Sequence, residues 1–126
     1  MRLILDNGAL IALERNDRAM WRRLKLALAA EQVPVCHGGI AGQAWRGGGP
    51  RQALLAKVLE CIEVRPLDSK LGRAAGEVLA RAGRRDVVDA ALVLLAEDGD
   101  QIVTSDPHDI EPLALAAGRD VDLVCV

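Results

Sequence analysis

Three aspartates sit where the chain turns from one element to the next. Asp6 closes the apolar run Leu3-Ile4-Leu5, Asp89 lies near the start of the apolar stretch Val87 to Ala96, and Asp106 follows Gln101 to Thr104 by two residues. Carboxylates drawn to one point repel one another unless a cation stands between them. Mg²⁺ suits such a group, because it takes hard oxygen ligands, keeps several waters and binds through a few carboxylates plus substrate phosphate; Mn²⁺ accepts the same set. The chemistry open to that site is hydrolysis of a phosphodiester, with the ion's charge stabilising the attacking and leaving oxygens. Asp86 and Asp109, three residues from Asp89 and Asp106, are further candidates for the ion.

Each acid has a purely structural reading as well. Asp6 before Asn7-Gly8 suits a strand-end turn, and Asp106 before Pro107 suits an Asx turn. Asp89 complements the dipole of the helix it helps to open. Asp86 reads first as the N-cap of that helix, and Asp109 equally as a cap or as a ligand. Any one of these aspartates is weak evidence. Three of them, at two strand ends and one helix start, favour the metal site.

The elements that must position them follow from periodicity and punctuation. Leu3 to Leu5 is a short buried strand, and Ala9 to Glu14 gives one or two helical turns. Asp17 caps a helix from Arg18 to Ala30 with Met20, Trp21, Leu24 and Leu28 on one face. Val33 to Cys36 is the second strand, despite the donor that Pro34 lacks. A short helix runs from Gly38 to Trp45, then Gly47-Gly48-Gly49-Pro50 breaks it and a helix to about Leu59 follows. Cys61 to Arg65 is the third strand, Ser69 to Ala82 a helix ended by Gly83, and Val87 to Ala96 a buried helix. Gln101 to Thr104 is the fourth strand, 106–109 a loop before a short helix near Pro112 to Ala117, and Val121 to Val126 the last strand. The order β-α-α-β-α-α-β-α-α-β-α-β predicts a single α/β domain over 1–126 with a mostly parallel sheet. Parallel strands gather their carboxyl ends at one edge, where such folds bind ligands. Asp6 and Asp106 meet there if their strands are neighbours.

Composition bounds the alternatives. A chain of 126 residues supports one core, and 51% hydrophobic against 27% charged residues describes a globular protein. Two Trp and no Phe or Tyr weaken any function built on stacking bases against rings. No apolar run reaches the roughly 20 residues of a membrane span, and the acidic start at Asp6 does not suit a secretory signal. Cys36, Cys61 and Cys125 lack metal spacing and read as small buried apolar residues in a reducing cytoplasm. The net charge is −2, yet residues 1–85 hold 15 Lys/Arg against 8 Asp/Glu, while 86–126 hold only Arg119 against 10 acids. That asymmetry predicts a phosphate-attracting surface beside an acidic pocket, or simply two solvated faces of unlike sign.

Leu3-Ile4-Leu5-Asp6, Asp89-Ala90-Ala91-Leu92 and Val103-Thr104-Ser105-Asp106, in this order and spacing, resemble the PIN-domain family, nearest to the VapC-type toxins of bacterial toxin–antitoxin pairs. The resemblance implies a three-layer α/β/α fold and a ribonuclease using Mg²⁺ or Mn²⁺. It further implies a homodimer and a cognate VapB-type antitoxin. It places Asp6, Asp89 and Asp106 as catalytic metal ligands and Thr104 as the hydroxyl residue beside them, with Asp109 matching an extra acid of some members. Two positions depart from the family pattern. Asn7 follows the first aspartate where Ser or Thr is usual. In Ala41-Gly42-Gln43-Ala44-Trp45-Arg46, Gln43 stands where the family has Glu, keeping an acceptor oxygen but losing a charge. Weaker metal affinity is expected, with Asp86 able to compensate. A PIN-like module that binds RNA or protein without cleaving is therefore the competing reading. A receiver-like phosphoryl domain is disfavoured, because Lys70 is the last lysine. Arg46 and Arg51, flanking the glycines, are candidates for RNA phosphate, whereas the glycine run lacks the Lys-Ser/Thr of a nucleotide-binding loop. His37 and His108 read as isolated histidines.

Overall fold

A computed structural model describes residues 1–126. Five strands alternate with seven helices: β1 (Leu3–Leu5), α1 (Asn7–Glu14), α2 (Arg18–Ala29), β2 (Val35–His37), α3 (Gly38–Ala44), α4 (Ala53–Cys61), β3 (Glu63–Arg65), α5 (Ser69–Ala82), α6 (Val87–Leu95), β4 (Gln101–Thr104), α7 (Pro107–Ala116) and β5 (Asp122–Cys125). A 3-10 turn, Pro50–Gln52, leads into α4. The order of elements is the one the sequence predicts.

The sheet is parallel throughout, in the order β3-β2-β1-β4-β5. Crossovers between parallel strands are right-handed. Moving from β1 to β2 to β3 runs one way across the sheet and puts α1–α4 on one face. The chain then returns past β1 to β4 and β5, which puts α5–α7 on the other. The packing agrees: α1 contacts α2, α3 and α4, while α5, α6 and α7 contact one another. The result is a three-layer α/β/α domain whose direction of travel reverses at β1. Ile4, Leu5, Leu92 and Ile102 are fully buried between the layers, so the aliphatic composition is used in the sheet and in α6.

Several local expectations are corrected. Asn7 and Gly8 already belong to α1, because Asp6 caps it directly. The second strand begins at Val35, so Pro34 precedes the ladder and its missing donor costs nothing; its carbonyl accepts from Glu63 N–H at 2.9 Å. The segment 106–109 is not a free loop. Asp106 holds the N-cap position of α7, Pro107 its first residue, and Pro112 lies inside it. Of the three cysteines only Cys36 is buried; Cys61 at the end of α4 and Cys125 on the edge strand β5 are exposed.

The glycine run is shaped by one side chain the sequence reading passed over. Gly47, Gly48 and Gly49 have φ of 92, 86 and 88°, which L side chains adopt only with strain. Buried Gln52 holds the loop: its Oε1 accepts from Arg46 N–H and Gly48 N–H, and its Nε2 donates to Ala44 C=O and Glu14 Oε2, all at 2.9–3.0 Å.

Candidate functional site

β1 and β4 lie side by side, with Leu5 opposite Val103. The chain leaves β1 toward one helical layer and β4 toward the other, which opens a crevice at their carboxyl ends. Asp6 and Thr104 line it. Asp6 N–H continues the ladder to Val103 C=O at 3.0 Å. Its buried carboxylate caps α1 through Oδ1, accepting from Asn7 N–H at 2.7 Å, and its Oδ2 accepts from Thr104 Oγ1–H at 2.6 Å. The Thr104 hydroxyl also accepts from Asp106 N–H at 3.0 Å. One hydroxyl thus joins two aspartates 100 residues apart in sequence. The Asp106 side chain does not cap α7, so its carboxylate remains available to the crevice.

Asp89 arrives from the other layer, in the first turn of α6. Asp86 caps that helix, its Oδ1 accepting from Val88 N–H at 3.0 Å and from Asp89 N–H at 3.1 Å. The N-cap reading of Asp86 is correct, and the capping geometry fixes where Asp89 stands. Burial, and then the charges of Asp86, Asp6, Asp109 and Asp106 in that order, push the half-buried Asp89 carboxyl up to about 7. Asp109 is also raised, first by a side-chain hydrogen bond with Asp106 and then by that residue's charge. All five aspartates therefore share one electrostatic neighbourhood.

His37, which the sequence left isolated, is a fixed part of this edge. It ends β2 and is fully buried. Its Nδ1 accepts from Gly39 N–H at 3.0 Å, and its Nε2 lies 2.9 Å from Val88 C=O. An amide can only donate and a carbonyl can only accept, so the ring is neutral with the proton on Nε2. Burial lowers its pKa, against the Val88 carbonyl and the Asp6 charge, which both raise it. His37 ties the end of β2 to the residue beside Asp89. Its position at a strand's carboxyl end, like that of Asp6, was the available signal.

Gly8 brings the crevice walls together. A Cβ added there would stand 2.5 Å from Ser105 Oγ and 2.9 Å from Ser105 N, so only glycine lets α1 approach the chain entering Asp106. Gln43 is exposed on α3, and Arg51 is exposed on the 3-10 turn. Arg46 is exposed but turned onto its own backbone, donating to Gly42 C=O at 3.0 Å and Trp45 C=O at 2.8 Å.

Carboxylate and amide oxygens are the donor types that a hard divalent cation takes. Burial first, and then the neighbouring carboxylates, raise the Asp89 carboxyl to about 7, and Asn7 Oδ1, beside Asp6, is sealed from solvent without a partner. The carboxylates are not drawn in around a common centre: no three acidic, His or Cys side chains stand close enough to hold one ion together.

This architecture, an all-parallel five-stranded sheet between helical layers, is a PIN-like fold. Chains of known structure share it. One from the crystal structure of VapBC2 from Rickettsia felis bound to a DNA fragment from their promoter aligns with a TM-score of 0.67, over 98% of this chain and 98% of that one, at 13% identity. At that identity the likeness is one of fold. No family model and no curated protein sequence matches this chain.

Proposed function

We propose that the protein is a Mg²⁺- or Mn²⁺-dependent endoribonuclease and the toxin of a toxin–antitoxin pair. What supports this is that Asp6 and Asp106 follow the neighbouring strands β1 and β4 and that Asp89, in the first turn of α6, feels the charge of both, on a fold shared with a chain of a VapBC complex. When bound, the cation supplies charge that favours water attack and stabilises the leaving oxygen of a phosphodiester. Asp6 would hold the ion with a carboxylate kept in place by Thr104 Oγ1–H and the Asn7 amide. Asp106, at the start of α7, and Asp89, in the first turn of α6, would be its other carboxylate ligands. Asp86 and Asp109 add negative charge at the rim, and Asn7 Oδ1 is a neutral oxygen beside Asp6. Exposed Arg51 is the candidate for RNA phosphate, whereas Arg46 would first have to leave the Gly42 and Trp45 carbonyls.

The partner surface of the proposed VapB-type antitoxin is a groove of about 780 Å³ along α2 and α4. It presents Arg18, Arg22, Lys25 and Lys57 above Trp21 and Leu26. None of these four cations forms an ion pair, and an acidic segment with one apolar face would complement them.

Incubating the purified protein with RNA and Mn²⁺, beside an Asp6→Asn variant, tests the reading. Cleavage by the parent alone supports the enzyme. Equal RNA binding by both without cleavage rejects it in favour of a non-cleaving binding module.

A further inference from the structure

Arg119 is the one Lys or Arg after residue 85, and it occupies an unusual environment. Its backbone is pinned just beyond α7, with its N–H donating to Ala114 C=O at 3.0 Å. Its guanidinium is in neither ion pair of the protein, and its Nε is sealed from water with no acceptor. A buried donor on a charged group, left unmatched, costs on the order of 1–3 kcal/mol, and native proteins seldom leave one so.

The same side chain lines a cleft of about 540 Å³ with Arg65 and Lys70. Lys70 has no ion-pair partner, and Arg65 is held at 3.1 Å only by exposed Glu63. The one acid of the lining, Asp68, has its Oδ1 occupied by Leu71 N–H at 2.9 Å. The lining therefore carries three cations and one carboxylate, with Leu71, Leu94 and Leu95 among its apolar residues, while Arg119 also borders Glu111 and Asp120 in the adjoining pocket. A guanidinium fork and an ammonium suit a phosphate dianion; the leucines suit an apolar body attached to it. The cleft lies at the C-terminal end of α6, and Asp89 at its N-terminal end, so about 8–9 Å of helix separates Leu95 from the acidic crevice.

We propose that this cleft is a binding site for a small organic phosphate monoester, gripped by Arg119 and Lys70 with Arg65 at the rim. It is a separate site from the acidic edge and does not depend on the ribonuclease reading.

The test uses phenyl phosphate and inorganic phosphate as probes, with calorimetry for affinity and the Arg119 Nε–H resonance for location. Phenyl phosphate is expected to move that resonance saturably and to bind about tenfold tighter than inorganic phosphate, a difference of about 1.4 kcal/mol. Arg119→Gln is expected to lose at least about tenfold in affinity, and the exposed-site variant Lys70→Ala a few-fold. Asp106→Asn, at the acidic crevice, leaves binding unchanged. No movement of the Arg119 resonance up to about 20 mM probe, far weaker than a millimolar site, overturns the proposal. Unaltered affinity in Arg119→Gln and Lys70→Ala does so too. Equal affinity for the two probes overturns the monoester assignment.

Discussion

Replacing Asp89 by Asn should make the ion-free protein more stable at pH 8 and should do little near pH 4. The carboxyl is pushed from 3.8 in the unfolded chain to about 7 in the fold, by burial and then by Asp86, Asp6, Asp109 and Asp106. The folded state therefore binds a proton that the unfolded state has released across this window. Linkage then requires stability to fall as pH rises from about 4 through 7, because the native state holds more protons there. Taken at face value the shift corresponds to about 4 kcal/mol. Asp89 is only half-buried, and solvent screening reduces this to about 1–2 kcal/mol. Asparagine keeps the shape and removes the charge, so the variant should gain that amount at pH 8, or about 3–8 °C in Tm for a chain of this size. The gain should shrink by about a third to a half at pH 4.5 and fall further below it.

Urea titrations of parent and Asp89→Asn in EDTA, at several pH values from 4.5 to 8, read this directly. A second series in saturating Mn²⁺ should narrow or reverse the difference, since an ion held by the native carboxylates stabilises the parent by mass action. A pH-independent difference, or an Asn variant less stable at pH 8, would refute the account of the crevice as an unrelieved negative cluster.

The remaining predictions concern the parts that hold the crevice. Thr104→Val removes the hydroxyl shared by Asp6 Oδ2 and Asp106 N–H and should cost about 1–3 kcal/mol by leaving a buried carboxylate oxygen unmatched; Thr104→Ser should recover most of it in the same denaturation assay. Gly8→Ala should cost a similar amount, because the new Cβ meets Ser105 backbone, and should weaken Mn²⁺ binding by calorimetry, whereas Gly42→Ala, with open space around it, should be neutral or stabilising. A thiol reagent at pH 8 should titrate Cys61 and Cys125 in the native protein and reach Cys36, buried and pushed up to about 12, only after unfolding; three fast thiols would contradict this. Gln43→Glu should raise Mn²⁺ affinity if α3 faces the ion, and an unchanged affinity would remove residue 43 from the site.

What the sequence disclosed and what it withheld separate along one physical line. Asp6, Asp86, Asp89 and Asp106 were legible because each sits at a boundary that local chemistry marks: an apolar run ending in a carboxylate, or a cap ahead of an apolar helix. That β1 and β4 are neighbours, so that Asp6 and Asp106 leave the same edge, came only with the strand order of the fold. His37 and Gln52 were missed because their partners are distant in the chain or in plain backbone. His37 reaches Val88 C=O across 51 positions and Gln52 reaches Glu14 across 38, and neither carbonyls nor loop amides leave a trace in residue type. The helix at 107–116 was foreshortened for the opposite reason, since Pro107 and Pro112 mimic a loop while one occupies a helix's first position and the other is tolerated further in. That shorter reading would have left the Asp106 side chain on a free loop. Its place at the N-cap of α7, with its backbone bound to Thr104 and its carboxylate turned to Asp109 and not to the cap, makes it a better-positioned acid than the sequence alone implied. The fold thereby fixes two of the three aspartates through one threonine hydroxyl and the third through the Asp86 cap.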